Sequence, residues 1–146
     1  MKFHKIIVPV DGSPTSNKAL VEALQMARDC GGEVRLVHVV DDLLYVTGFE
    51  ASALVLDEVQ KGARRILVSA LEIANSAGVK ADTQLIDRPG ERLGECIARE
   101  ARDWRADLIV VGTHGRHGAK RVLLGSGAEQ VIRMAPVPVL VIRGDE

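Results

Sequence analysis

Short continuous apolar runs alternate with longer stretches whose apolar residues recur every three or four positions, and this alternation predicts strands and helices in turn. Ile6–Val10 is the first run, broken by Asp11-Gly12-Ser13-Pro14. From Ser16 to Cys30, Leu20, Ala23, Leu24 and Ala27 fall on one helical face, and Gly31-Gly32 ends the helix. Val34–Val40 predicts a second strand, Asp41 to about Ser52 a loop, and Ala53–Ala77 a long helix stopped by Gly78. Val79–Ile86 alternates apolar and polar positions, as a half-covered edge strand does. Pro89-Gly90-Glu91 then opens a helix with the stripe Leu93, Ile97, Ala101 and Trp104. Asp107–Val111 is a continuous apolar run, expected to be buried on both faces. After a glycine-rich, basic segment from Gly112 to Gly125, Ser126 to about Met134 predicts a short helix and Val137–Ile142 a last strand.

The order β-α-β-α-β-α-β-α-β, with no repeat and no linker, predicts one α/β domain over residues 1–146. Right-handed crossovers then require a doubly wound, five-stranded parallel sheet with helices on both faces. In such sheets ligands sit beyond the carboxyl ends of the strands, where the winding reverses. With the first and fourth strands as neighbours, Asp11–Ser13 and Gly112–Ser126 meet at that crevice.

Composition narrows the field. The chain is 47% apolar and only 3% aromatic, a Val, Ile, Leu and Ala core that suits buried parallel strands. With 19 basic and 20 acidic residues it lacks the basic excess of a nucleic-acid binder. Cys30 and Cys96 are too far apart for a metal knuckle and read as reduced, buried thiols. Ile6–Val10 is too short for a signal segment, and no apolar run approaches the about 18 residues of a membrane span. The expectation is a cytoplasmic protein with no membrane partner.

Candidate chemistry concentrates in one segment. Gly112, Gly115 and Gly125-Ser126 follow a buried strand and lead into a helix. Glycines let backbone approach phosphate oxygens and accept positive φ, and helix-start N–H groups point outward at an anion. Ser126 is expected to act as helix N-cap and to offer its hydroxyl to a phosphate or a bound cation. His114, Arg116, His117, Lys120 and Arg121 supply charge against a polyphosphate. The competing reading has Gly112 and Gly115 merely turning the chain, with the basic residues solvated. Asp11 likewise reads as a site carboxylate, a turn former, or an N-cap for the next helix.

Other candidates carry less. His114 and His117 lack the clustered ligands of a zinc site, so metal ligands are unassigned. His38 reads as a core or edge histidine, Asp41-Asp42 as a solvated turn, and Lys61, Arg64 and Arg65 as a solvated helix face. No G-x-S-x-G surrounds Ser13. There is no Walker lysine motif, no G-x-G-x-x-G, and no residue that reads as a base for a γ-phosphate water, which argues against a fast hydrolase.

The same residues resemble a known family. Ile6-Ile7-Val8-Pro9-Val10-Asp11-Gly12-Ser13 with Ser16, Ala19 and Leu20, Leu36–Val40, Asp107–Arg116, Leu123–Ser126 and Val137–Val141 together resemble the nucleotide-binding branch of the universal stress protein family. The family's ATP motif, G-x2-G-x9-G-[ST], is matched without a gap by Gly112, Gly115, Gly125 and Ser126. The resemblance implies an adenine nucleotide alpha hydrolase-like fold and an ATP-binding stress-response regulator, with Mg2+ or Mn2+ accompanying the triphosphate and slow hydrolysis at most. It implies that Gly112, Gly115, Gly125 and Ser126 hold phosphates, with Arg116 and Gly127 in the same loop site. Asp11 would accept from the ribose hydroxyls, Val39 would present its backbone to adenine, and Pro9 would line the pocket. Rival functions are an ATPase or nucleotidyl-transfer enzyme at the same site, or an interaction module with a vestigial loop.

Two positions depart from the family pattern. Gly127 stands where many members have a larger apolar residue, and Asp87-Arg88 stands where relatives often have glycine. Finally, the apolar run Val137–Ile142 with Pro138 is expected at a sheet edge, where an unpaired strand invites pairing. A homodimer joined through Val139–Val141 is the expectation, which the resemblance also implies.

Overall fold

The structure, a computed structural model, describes residues 2–40, 53–114 and 124–144. Its strands are β1 (Lys5–Pro9), β2 (Glu33–Val39), β3 (Ala81–Ile86), β4 (Leu108–Gly112) and β5 (Val139–Ile142). Between them run α1 (Pro14–Cys30), α2 (Ala53–Ser76), α3 (Leu93–Trp104) and α4 (Ser126–Met134). All strand pairs are parallel, in the order β3-β2-β1-β4-β5. The sheet therefore grows from β1 toward β3, then returns to add β4 and β5 on the other side.

The pleat sorts side chains between two cores. Ile6, Val8, Leu36 and Val110 join Leu20, Leu24, Leu67 and Ala70 under α1 and α2. Ile7, Val37, Ile109 and Val111 join Ile97, Ala101 and Val131 under α3 and α4. The run Leu108–Val111 thus feeds both layers, as its unbroken apolar pattern requires. Ile6, Ile7, Leu20, Leu36, Ile97 and Ile109 are fully buried, each contributing about 1.5–3 kcal/mol. β3 lies at one edge and alternates half-buried with exposed residues from Ala81 to Gln84.

Several boundaries differ from the sequence expectation, each for a local reason. α1 starts at Pro14, because Ser13 caps it by accepting the Ser16 N–H at 3.2 Å. β3 starts at Ala81, because the Val79 N–H closes the end of α2 on the Ala74 carbonyl. α3 starts at Leu93 with Arg92 as N-cap; Gly90, at φ +86°, spends Pro89-Gly90-Glu91 on a turn instead. β5 starts at Val139, and Val137 packs on the α3–α4 core just before it. His38 is a core histidine, 7% exposed, whose Nδ1–H donates to the Val10 carbonyl at 2.7 Å. The expected loop at 41–52 lies outside the described residues. Among those described, no helix is long and apolar enough to cross a membrane.

Candidate functional site

The reversal of winding opens a crevice beyond the carboxyl ends of β1 and β4. Their pairing is short, Ile6 and Ile7 against Leu108 and Ile109. By the strand alternation Pro9 faces β4 again two residues after Ile7, and it has no N–H to leave unpaired where the strands part. On the other side, the β1–β2 ladder ends with the Val10 N–H on the Val37 carbonyl at 2.8 Å. The same alternation turns the backbone of Val39 toward the space beyond Val10.

Asp11 begins the turn into α1. Its Oδ1 accepts the Ser13 N–H at 2.9 Å, and its own N–H donates to Ser16 Oγ at 3.1 Å. Asp11 is therefore a turn former in this structure, and the N-cap is Ser13. Gly12, at φ +81°, supplies the left-handed residue that this turn needs. Ser13, Thr15 and Ser16 are all buried, so the first turn of α1 is a polar layer set beneath the crevice.

Gly112 does not turn the chain. It ends β4 opposite Ile142, and it is not among the residues with positive φ. A methyl group there would lie 2.6 Å from Thr15 Cγ2 and 3.2 Å from the Thr15 carbonyl oxygen. Gly112 is small so that the first turn of α1 can sit against β4.

Gly125 closes the far end of the motif. Its N–H donates to the Thr113 carbonyl at 2.6 Å, and an added Cβ would meet His114 Cα at 3.1 Å. Gly125, extended at φ −65° and ψ 157°, is the N-cap of α4, and Ser126 is its first helical residue. The expectation of Ser126 as N-cap is thereby corrected: the Ser126 hydroxyl makes no capping bond, and the Glu129 N–H opens the helix on the Gly125 carbonyl at 3.0 Å. The N–H groups of Ser126 and Gly127 belong to the first turn, which has no intrahelical acceptors for them. Gly127 has its own packing reason, since a Cβ there would lie 2.8 Å from Leu93 Cδ2 of α3. At the same contact Gly94 meets the backbone of Gln130 and donates its N–H to Gln130 Oε1 at 3.2 Å.

The structure thus brings Pro9, Asp11, Val39, Gly112, Gly125, Ser126 and Gly127 to the carboxyl end of the sheet. Gly115 and Arg116 lie outside the described residues, as do His117, Lys120, Arg121 and Asp41-Asp42. Arg88 is exposed beside Glu91, whose carboxyl is held below the usual carboxylate range by Arg99, which bonds both its oxygens at 2.7 and 2.9 Å. Asp87 accepts from Gln60 of α2 at 2.6 Å. Sequence reasoning missed Thr15, Thr113 and Gly144, which pack around His114. The sequence carried little signal for them, since Thr15 stands just before the helix expected from Ser16.

Comparison with known proteins agrees with this fold. The model of the universal stress protein family matches residues 2–143. A universal stress protein of Methanocaldococcus jannaschii, MJ0531, is 36% identical over 144 residues, covering 97% of this chain and 82% of its own. Among solved structures, hypothetical protein MJ0577 is 27% identical with a TM-score of 0.85, covering 100% of this chain and 99% of that one. The universal stress protein from Archaeoglobus fulgidus in complex with dAMP is 29% identical with a TM-score of 0.73, covering 97% and 99%. The sheet is accordingly of the adenine nucleotide alpha hydrolase-like type.

Proposed function

The chain belongs to the universal stress protein family, and from that premise we propose that it binds ATP, with Mg2+ or Mn2+, in the crevice beyond β1 and β4. One observation carries the reading: at the two described ends of the glycine motif, Gly112 packs on Thr15 in the first turn of α1, beside the Asp11 turn, and Gly125 closes on Thr113 and His114, just after Gly112. The Archaeoglobus relative holds an adenine, a deoxyribose and one phosphate. The longer polyphosphate is proposed here from the complete glycine motif and its basic residues.

In this reading the phosphates lie on backbone N–H groups of Gly112, Gly115, Gly125, Ser126 and Gly127, with Arg116 adding charge. Ser126, the first residue of α4 and not its N-cap, would offer its hydroxyl to the phosphates and their cation. Asp11 accepts from the ribose, Val39 offers its backbone to adenine, and Pro9 lines the pocket. These are binding roles, so the protein acts as a cytoplasmic stress-response regulator made of one nucleotide-binding domain, with slow hydrolysis at most and without nucleic acid or membrane as partner.

Asp11 provides a test that separates ribose from scaffold. Asp11→Ala is expected to weaken ATP and AMP by roughly 1.5–3 kcal/mol, the scale of a hydrogen bond to a charged group, while tripolyphosphate loses much less. Asp11→Asn keeps an oxygen for the Ser13 N–H and serves as the turn control. Calorimetry showing equal losses for ATP and tripolyphosphate in Asp11→Ala would assign Asp11 to the turn alone.

The homodimer is proposed on the open edge of β5. The carbonyls of Pro138 and Ile142 accept from the N–H groups of Ile109 in β4 and of Thr113 just after it, so the alternating backbone of Val139 and Val141 faces away from the sheet. Pairing with a second copy across a two-fold axis would satisfy these groups. Val139 and Val141 also lean on the α3–α4 core, whereas Leu140 is 36% exposed. Val141→Lys is expected to yield monomers, and Leu140→Lys tests the edge without a core position. Light scattering that finds the wild type monomeric at micromolar concentration would rule the dimer out.

A further inference from the structure

His114 stands where four segments of the chain cross. Its Nδ1 lies 3.2 Å from Thr113 Oγ1 at the end of β4, and its Nε2 lies 3.5 Å from Thr15 Oγ1 in the first turn of α1. A hydroxyl can donate or accept, so both ring nitrogens are met in either tautomer. Thr15 is 6% exposed, so this contact is set into the protein. Beyond β5, Gly144 backs onto the same pair: a Cβ there would lie 2.6 Å from Thr15 Oγ1 and 3.1 Å from His114 Cε1. The Gly144 N–H also points at Thr113 Oγ1, 3.4 Å away. On the remaining side, Gly125 packs on His114 Cα while its N–H bonds the Thr113 carbonyl.

We propose that His114 is a positioning residue for the polyphosphate part of the nucleotide, locking the two ends of the glycine motif to the helix that carries the Asp11 turn. The inference rests on the nucleotide reading above and adds a residue that reading left unused. The ring needs no contact with the ligand for this role. It fixes the Thr113–Gly125 closure, from which the first N–H groups of α4 are aimed, and so acts on groups placed for phosphates. Adenine and ribose, held from β1 and β2, are served by other residues.

The test compares three variants against two ligands. His114→Ala removes both contacts, His114→Asn keeps an amide near Thr113 only, and His114→Gln extends one toward Thr15. ATP affinity is expected to fall about tenfold or more in the Ala and Asn variants and to be largely restored in Gln, while adenosine affinity changes less than about twofold throughout. Without any ligand, exchange of the Gly125 amide is expected to accelerate about tenfold in His114→Ala. ATP and adenosine falling together, or ATP binding unchanged in His114→Ala, would overturn the proposal. A wild type that binds neither ligand would overturn the nucleotide reading itself, and the Gly125 exchange rate tells that failure apart from a failure of His114 to hold the closure.

Discussion

Gly112→Ala is expected to lower the stability of the nucleotide-free protein by about 1–3 kcal/mol, the range for overfilling a packed site. The new methyl would stand 2.6 Å from Thr15 Cγ2 and 3.2 and 3.3 Å from the Thr15 carbonyl oxygen and carbon. Gly112 has no positive φ, so the substitution brings no backbone strain to confuse the result. The side-chain part of the clash can be removed and the backbone part cannot. Thr15→Ser in the same chain should therefore recover part of the loss, a coupling that a double-mutant cycle by denaturant unfolding would read directly. Because α1 starts in the Asp11 turn, the displaced helix should also weaken nucleotide binding. Simple additivity of the two substitutions would mean that β4 and α1 do not meet through Thr15.

Gly115→Val should do the opposite. Gly115 lies outside the described residues, and its role comes from the motif spacing. There the backbone is expected to touch phosphate, so a β-branched side chain would hold the ligand off. ATP affinity should fall by about a hundredfold or more, roughly 2.8 kcal/mol, while unfolding midpoints stay near the wild type. A folded Gly115→Val protein that takes up ATP normally would remove the phosphates from this loop. Two glycines of one motif are thus predicted to fail in different ways, Gly112 through packing and Gly115 through the ligand.

That contrast marks what the sequence discloses. Periodicity identified every strand and helix among the described residues, because Ile6 and Val8 must face one layer while Ile7 faces the other. The meeting of the Asp11 turn with the glycine motif was legible too, since it follows from winding order and the placing of β1 beside β4. Reasons that depend on distant contacts were not legible. Nothing local to Gly112 announces Thr15, and nothing near Gly127 announces Leu93, yet those contacts explain why both are glycines. Ser126 gave way to Gly125 as N-cap because both residue types suit that place and the Thr113 carbonyl, bound to the Gly125 N–H, fixes where the helix begins. His114 looked like loose positive charge until the fold set it against Thr15 and Gly144.

The central claim, an ATP site beyond β1 and β4, is tested most directly by the nucleotide content of the protein as purified. Denatured protein, filtered and chromatographed with absorbance detection, should release adenine nucleotide approaching one per subunit, chiefly ATP, and the Gly115→Val protein should release almost none. Wild-type protein that carries no adenine nucleotide and shows no calorimetric response to ATP with Mg2+ would contradict the account.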